Sequence, residues 1–198
     1  MKIVRSYFVL AAAALLAMTA VTAEAQKTLQ GKLSKNIYVQ ARAMGTGTQL
    51  GQTIGITVII EELSTAADKA GLVEAFQAAG NEGLVNALSK MHAKGRMAID
   101  GTLGYDVAYM RVFEQPDGSM MLRLITDRPI RFGEVWHDSR SRDYNLSAIE
   151  VTVKKDKKGK WKGEGTLLPA CQLKMDKGEL EIELRQNAWR LVNVDVRK

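Results

Sequence analysis

The sequence predicts an α+β fold that is mainly antiparallel β. We expect a single curled sheet, closed as a barrel or folded as a sandwich, of about eight to ten strands, with a helical hairpin packed on one end or face. Three observations support this prediction: alternating apolar and polar residues recur in short runs, short turns separate the runs, and helical spacing is confined to residues 64–94.

Two strands are predicted before the helices. Residues 37–43 alternate between apolar and polar side chains, as a half-buried strand does, and Ile54, Ile56, Val58 and Ile60 predict a second, more hydrophobic strand. A glycine-rich stretch, residues 44–51, connects them. The polar stretch before the first strand, residues 26–35, is expected to be a loose lead-in.

A helical hairpin is predicted within residues 64–94. Ser64 and Thr65 offer an N-cap, and Asp68 stands three residues after Thr65, the spacing of a capping box. Gly80 is expected to end the first helix and Asn81 to cap the second.

The strongest local signal is a β-hairpin after the helices. Residues 106–115 and 119–127 are rich in strand-forming residues, and Pro-Asp-Gly at 116–118 suits a tight turn. A three-residue turn sets the register and places Arg111 opposite Arg123.

Further hairpins are predicted in the last third of the chain. The expected strands are residues 146–155, 161–168, 180–184 and 189–196, separated by turns at 156–159, 175–178 and 186–187.

The N-terminus has the features of a secretory signal peptide. Lys2 and Arg5 are followed by an apolar run at 7–21 and a small-x-small cleavage signal at 23–25. We therefore expect a signal peptide at 1–25 and one β-rich domain at 26–198, exported to the periplasm or secreted. The apolar run is shorter than the ~20 residues that span a bilayer, so no stable membrane anchor is expected after cleavage.

Charge and cysteine content narrow the class of protein. The net charge is +6, but the lysines gather mainly in residues 154–162, which suits a solvated turn and not a nucleic-acid partner. Cys171 is the single cysteine and lies between apolar neighbours, so we expect a buried apolar side chain, not a reactive thiol.

The predicted pair of arginines allows two interpretations. Two like charges directly opposite one another repel, unless a nearby acid neutralises them or both side chains splay into solvent. The alternative is an anion-binding or cation–π surface that Tyr109 and Phe113 flank.

A long polar connection, residues 126–144, is the second candidate region, because long loops often carry function. Its alternative role is structural, with ion pairs across the loop and with Phe132 and Trp136 packed on the sheet. The candidate ligand- or partner-binding residues of the whole chain are Tyr109, Arg111, Arg123, Arg128, Arg131, Trp136, His137, Arg140 and Arg142.

Catalytic and metal chemistry have little support in the sequence. A hydrolase using His137 with Asp138 or Asp143 is the enzymatic alternative, although neighbouring positions alone do not form a triad. His92 and His137 are the only histidines, which is too few for a histidine-rich metal site. We predict neither a metal nor a cofactor.

Three segments carry a resemblance to a known family. GRMAIDGTLGYDVAYMRV, LITDRPIRF and RSRDYNLSAIEVTV, spaced as they are here, resemble a family of uncharacterised exported bacterial proteins across residues 38–194. The resemblance implies an exported bacterial protein and implies nothing about its activity.

The sequence thus favours a non-enzymatic binding module for a small apolar or anionic ligand, or for an envelope protein partner. A small-molecule ligand, apolar or anionic, is expected to need an enclosed apolar cavity of some ~300 Å³ or more, and a fully packed interior would leave only the protein partner. A structural or assembly protein, which joins partners through a sheet edge or through the region of Phe132 and Trp136, is a further alternative.

Overall fold

The computed structural model describes residues 28–29, 31–130, 145–183 and 188–198. The strands are β1 (Thr28–Leu29), β2 (Gly31–Met44), β3 (Thr53–Leu63), β4 (Gly95–Ile99), β5 (Tyr105–Val107), β6 (Tyr109–Glu114), β7 (Met120–Thr126), β8 (Leu146–Lys155), β9 (Trp161–Asp176), β10 (Glu179–Glu183) and β11 (Trp189–Arg197). One helix, α1 (Ala66–Leu88), and a short 3₁₀ turn (Gly47–Gln49) complete the described elements.

The predicted fold class is confirmed: the protein is mostly antiparallel β, with a nearly closed, barrel-like sheet of nine strands. The strand order around the barrel is β6-β7-β8-β9-β11-β2-β3-β4-β5. β5 and β6 are one run of chain that changes partner at Ala108, since β5 pairs with β4 and β6 pairs with β7. This change of partner brings the two ends of the sheet together.

The polar lead-in before the first predicted strand is itself mostly strand, so that expectation was wrong. Thr28 and Leu29 pair with β6, and β2 begins at Gly31, where it faces Leu63 of β3. Alternation misses this segment because few of its side chains are buried, whereas its backbone is paired on the sheet.

Side chains fill the middle of the barrel. Met97, Met110, Leu124, Leu167 and Trp189 come from five different strands, and each has a relative exposure of 0%. A ligand-sized chamber would leave accessible surface on the side chains that line it. These inward-facing residues therefore form a packed core.

A second apolar cluster covers the outside of β6, β7 and β8. Tyr109 and Ile125 point away from the core that holds their neighbours Met110 and Leu124, and they belong to the same apolar cluster as the buried leucines of α1. The far end of β9 and the strand β10 pack on the same outer face. The sheet is thus buried on both faces here, and the predicted packing of the helical insertion on one face is confirmed.

Helix α1 begins with the predicted cap and breaks at the predicted place. Thr65 accepts a hydrogen bond from the Asp68 backbone, and the Asp68 carboxylate accepts one from the Thr65 backbone, so the capping box is complete. Ala79 and Gly80 leave helical geometry. A Cβ on Gly83 would come within 2.1 Å of the Ala75 carbonyl oxygen, so the second helical segment folds back on the first.

Asn81 does not cap the second segment as predicted. Its side chain accepts a hydrogen bond from the Leu173 backbone N–H at 2.7 Å and donates one to the Leu173 carbonyl at 3.0 Å. The Asn81 amide therefore forms the two backbone hydrogen bonds to Leu173 that a neighbouring strand would otherwise form. These bonds attach the helical insertion to β9.

The helix break gives a matched pair of glycine substitutions. Gly80 has φ 58° and ψ −143°, a conformation that side chains other than glycine strongly disfavour, so Gly80→Ala is expected to lower the free energy of unfolding by about 1–2 kcal/mol. Gly71 lies in the regular part of the helix, with nothing within 4 Å of an added Cβ. Gly71→Ala is therefore expected to raise the free energy of unfolding by about 0.5–1 kcal/mol. Urea unfolding measures both, and equal effects of the two substitutions would contradict the break.

Cys171 is buried, as predicted, and burial raises the pKa of its thiol to about 12.

The described part of the chain includes no helix whose length and hydropathy suit a bilayer crossing.

Candidate functional site

The predicted arginine pair is present in the predicted register. Arg111 of β6 faces Arg123 of β7, and Tyr109 faces Ile125 two pairs further along, on the same face of the sheet. Arg111 donates to Glu179 at 2.7 Å and Arg123 donates to Glu150 at 2.6 Å. Each arginine therefore has a carboxylate of its own, which is the first of the two interpretations that the sequence allowed.

The cation–π contact of the second interpretation is also present. The Arg111 and Arg123 guanidinium carbons lie 4.9 and 5.5 Å from the centre of the Phe113 ring. Burial raises the pKa of the Tyr109 phenol, although the neighbouring Arg111 opposes the rise. The tyrosine thus remains a neutral, buried part of the cluster.

Glu179 joins three elements at this cluster. Its carboxylate accepts from Arg111 of β6 and also forms an ion pair with Lys69 of α1, while the strand β10 supplies the glutamate itself. The Arg123 side chain reaches the same strand and donates to the Leu180 carbonyl at 2.7 Å. The arrangement holds the outer layer onto the barrel and leaves both arginine charges satisfied inside the chain.

The remaining candidate residues separate into two groups. Arg128 is exposed and pairs with its neighbour Asp127 at 2.9 Å. The other candidates lie outside the described residues: Arg131, Trp136, His137, Arg140 and Arg142. The acids of the hydrolase hypothesis, Asp138 and Asp143, lie outside them too. The predicted site on the long loop therefore stays a prediction.

A further charged group lies where α1 leaves and rejoins the barrel. The Lys94 ammonium is 2.7 Å from Glu62 and 3.4 Å from Asp68, and its side chain is 9% exposed. Burial alone would lower the pKa of Lys94, but the hydrogen bond to Glu62 and the charge of Asp68 raise it overall. The lysine is a structural cation that both carboxylates neutralise.

A polar groove that the sequence did not predict lies on the outside of the barrel, on the face of β11, β2 and β3. Its volume is about 360 Å³ and it is open to solvent. Its lining residues are Gln40, Ala41, Arg42, Gly55, Ile56, Thr57, Asp100, Lys162, Asn193, Asp195 and Arg197.

The groove depends on one glycine and one bulge. Asp100 lies directly over Gly55, because a Cβ on Gly55 would come within 1.8 Å of the carboxylate oxygen. On the other side, β11 bulges between Val192 and Asp195, where Asn193 has a φ of 53°. The missing side chain of Gly55 makes room for the Asp100 carboxylate, and the bulge interrupts the regular pairing of β11 on the other side.

The charges around the groove are unevenly paired. Asp195 is shared by Lys162 at 2.9 Å and Arg197 at 2.8 Å, and the hydrogen bonds from Lys162 and then Arg197 lower its pKa, so it is ionised at neutral pH. Within the described part of the chain, the structure gives Arg42 and Asp100 no ion pair. The lining carries three cations and two carboxylates, so its net charge is positive.

Metal chemistry has no support in the described ranges, which bring together no group of three His, Cys, Asp or Glu side chains suited to an ion. Comparison with protein-family models, with curated proteins and with solved structures found no match.

Proposed function

We propose that this protein is an exported, non-enzymatic binding module that takes a small anionic ligand in the groove on the outside of its barrel. The observation that carries the proposal is the position of Arg42 in the groove. Arg42 lines the groove and forms no ion pair with any described residue, and the lining as a whole is positive. A guanidinium left free at the edge of a concavity is suited to a carboxylate or phosphate.

The chemistry of the lining narrows the ligand class. Gln40, Thr57 and Asn193 supply neutral donors and acceptors beside the cations. Such a set suits a ligand that combines an anionic group with hydroxyls, because each hydroxyl needs a partner when the groove removes it from water.

The packed interior corrects the expectation that a small ligand occupies an enclosed apolar cavity, so a small ligand has to bind on the outside of the barrel. Met97, Met110 and Trp189 occupy the space that an enclosed apolar ligand would need. The Arg111–Arg123 pair is less suited to an external anion than the groove, because Glu179 and Glu150 already neutralise both arginines.

Export is the second part of the proposal. It is supported by the signal-peptide pattern of residues 1–25. A single cysteine that is buried also suits an oxidising compartment, since it cannot form an intermolecular disulfide while the protein is folded.

Titration calorimetry tests the proposal with inorganic phosphate and glucuronate as anionic probes and with glucose as the neutral control. Phosphate and glucuronate are expected to bind and glucose is not. Arg42→Gln is expected to weaken the binding of both anions about tenfold, because it removes one charge-assisted hydrogen bond worth about 1.5 kcal/mol.

Arg190→Gln is the matched control. Arg190 is also an exposed arginine on the outside of the barrel, but it faces Met44 beyond the groove and pairs with Glu164 at 3.0 Å. Its substitution is expected to change the affinity less than twofold. Equal losses in the two variants would show a nonspecific charge effect, and no binding of either anion would contradict the proposal.

A further inference from the structure

The most exposed large apolar side chains of the described residues lie at one end of the barrel. Leu50 is 82% exposed in the loop between β2 and β3, and Leu103 is 86% exposed in the loop between β4 and β5. Because β3 pairs with both β2 and β4, these loops lie at the same end of three adjacent strands. The Asp100 N–H also donates to the Gly55 carbonyl at 3.0 Å, which joins the base of the second loop to β3.

The first loop is braced, so Leu50 is held outward. The Gln49 side chain is buried beneath the 3₁₀ turn, which leaves Leu50 on the solvent side. The Leu50 N–H donates to the Gly47 carbonyl, and the Thr46 hydroxyl donates to the Ala188 carbonyl just before β11. Leu50 therefore lies on a compact turn that is attached to the chain just before β11.

The second loop is braced in a similar way. Arg96 donates to the Leu103 carbonyl at 2.9 Å, and Thr102 donates to the Ile99 carbonyl through both its backbone N–H and its hydroxyl. Gly104 has a φ of 80° and packs so closely that a Cβ would come within 2.4 Å of the Met97 carbonyl oxygen. Two rigid turns thus present one leucine each.

We propose that this end of the barrel docks peripherally on a lipid surface, with Leu50 and Leu103 entering the interface. The apolar area is small: two leucine side chains expose far less than the roughly 800 Å² that each partner buries in a stable protein interface. Two separate apolar tips on rigid turns instead suit the shallow, reversible insertion of a peripheral protein.

The backbone and charge of the first loop are compatible with such an interface. Residues 45–52 contain no charged side chain, and the N–H groups of Gly45, Gln49, Leu50 and Gln52 all donate within the loop. Satisfied donors reduce the cost of moving backbone out of water. Without the expected signal peptide, whose Lys2, Arg5 and Glu24 contribute +1 of the +6, the net charge is +5, which favours a surface that contains anionic lipid. This proposal is independent of the groove.

Vesicle co-sedimentation tests the proposal on protein isolated from the periplasm of an expressing bacterium, with its N-terminus established by mass spectrometry. The vesicles contain phosphatidylcholine with about one-third phosphatidylglycerol. The wild-type protein is expected to sediment with them, and the double variant Leu50→Ser/Leu103→Ser is expected to bind about tenfold more weakly.

Leu29→Ser is the matched control, because Leu29 is 39% exposed and belongs to β1, which precedes β2 at the opposite end of the barrel. It is expected to bind within twofold of the wild type. Equal binding by the double variant, or no binding by the wild type, would overturn the proposal. Loss of a dimer in the double variant without vesicles would also overturn it, because the leucines would then contact a second copy.

A second readout does not depend on affinity. Leu50→Cys accepts an environment-sensitive fluorophore selectively, because the native Cys171 is buried. The label is expected to shift its emission to shorter wavelength on vesicles and to be quenched by brominated lipid. An unchanged spectrum of vesicle-bound protein would contradict insertion of this loop.

Discussion

Trp189→Ala is expected to lower the free energy of unfolding by about 3–5 kcal/mol, the largest effect that we expect from any single substitution considered. Trp189 begins β11, has no exposed surface and packs in the core inside the barrel. Truncation would leave a cavity among side chains that β9 and β2 hold in place on either side. Since domains of this size are commonly stable by only 5–15 kcal/mol, urea unfolding should show a large shift of the midpoint.

Tyr38→Ala is the control for this prediction. It also truncates an aromatic residue on a barrel strand, but Tyr38 is 41% exposed on the outer side of β2. Its expected cost is about 1 kcal/mol or less. Similar costs for both substitutions would mean that Trp189 does not lie in a packed interior.

Glu179→Gln is expected to lower the free energy of unfolding by about 2 kcal/mol. The substitution keeps the shape of the side chain but removes the charge that faces both Arg111 and Lys69. The Arg111 side chain is only 9% exposed, so water would compensate poorly for the loss of the Glu179 carboxylate. Urea unfolding gives the cost, and hydrogen exchange should show faster opening of α1 and β10 before the barrel opens.

Glu181→Gln provides a control on the same strand with the same change of charge. Glu181 is 38% exposed and lies 3.7 Å from an exposed Lys174, so we expect a cost below about 0.5 kcal/mol. If Glu179→Gln is as mild as Glu181→Gln, the ion pairs of Glu179 do not hold the outer layer on the barrel.

Local signals in the sequence predicted the helix break and the hairpins β6–β7, β8–β9 and β9–β10 correctly. The last predicted hairpin was wrong, because β11 pairs with β9 and β2 and not with β10. The register of β6 and β7 follows from the turn at residues 116–118, which is why Arg111 could be placed opposite Arg123 without any structure. Gly80 could be identified as the end of a helical segment because glycine readily adopts the conformation needed there.

Tertiary pairing explains what the sequence did not predict. Residues 105–114 read as one uninterrupted strand, and nothing local shows that Ala108 separates two partners, β4 and β7. The polar lead-in was missed for a related reason. Its pairing with β3 and β6 satisfies the backbone, whereas sequence patterns report mainly which side chains are buried.

The groove was missed because its residues are far apart in the sequence. Arg42, Asp100, Lys162 and Asp195 come together only through the order of the strands around the barrel. Gly55 inside an otherwise alternating strand is the one local signal that could have pointed to it, since glycine in a strand often marks a close approach. The pairing of Arg111 with Arg123 was predicted correctly. The partner carboxylate of Arg111, Glu179, could not be identified from the sequence, because it comes from a distant strand.

Closure of the barrel determines where this protein can bind. Once the change of partner at Ala108 joins the two ends of the sheet, Met97, Met110 and Trp189 fill the inside. The groove and the leucine loops both lie outside that packed core. Both functional proposals therefore depend on the closed, filled barrel.

Backbone nuclear Overhauser effects along residues 105–114 test that closure most directly. We expect contacts from Tyr105 to Met97 and from Val107 to Gly95, followed on the same strand by contacts from Tyr109 to Ile125. Contacts of the whole segment with β7 alone, with none to β4, would show an open sheet and contradict the account.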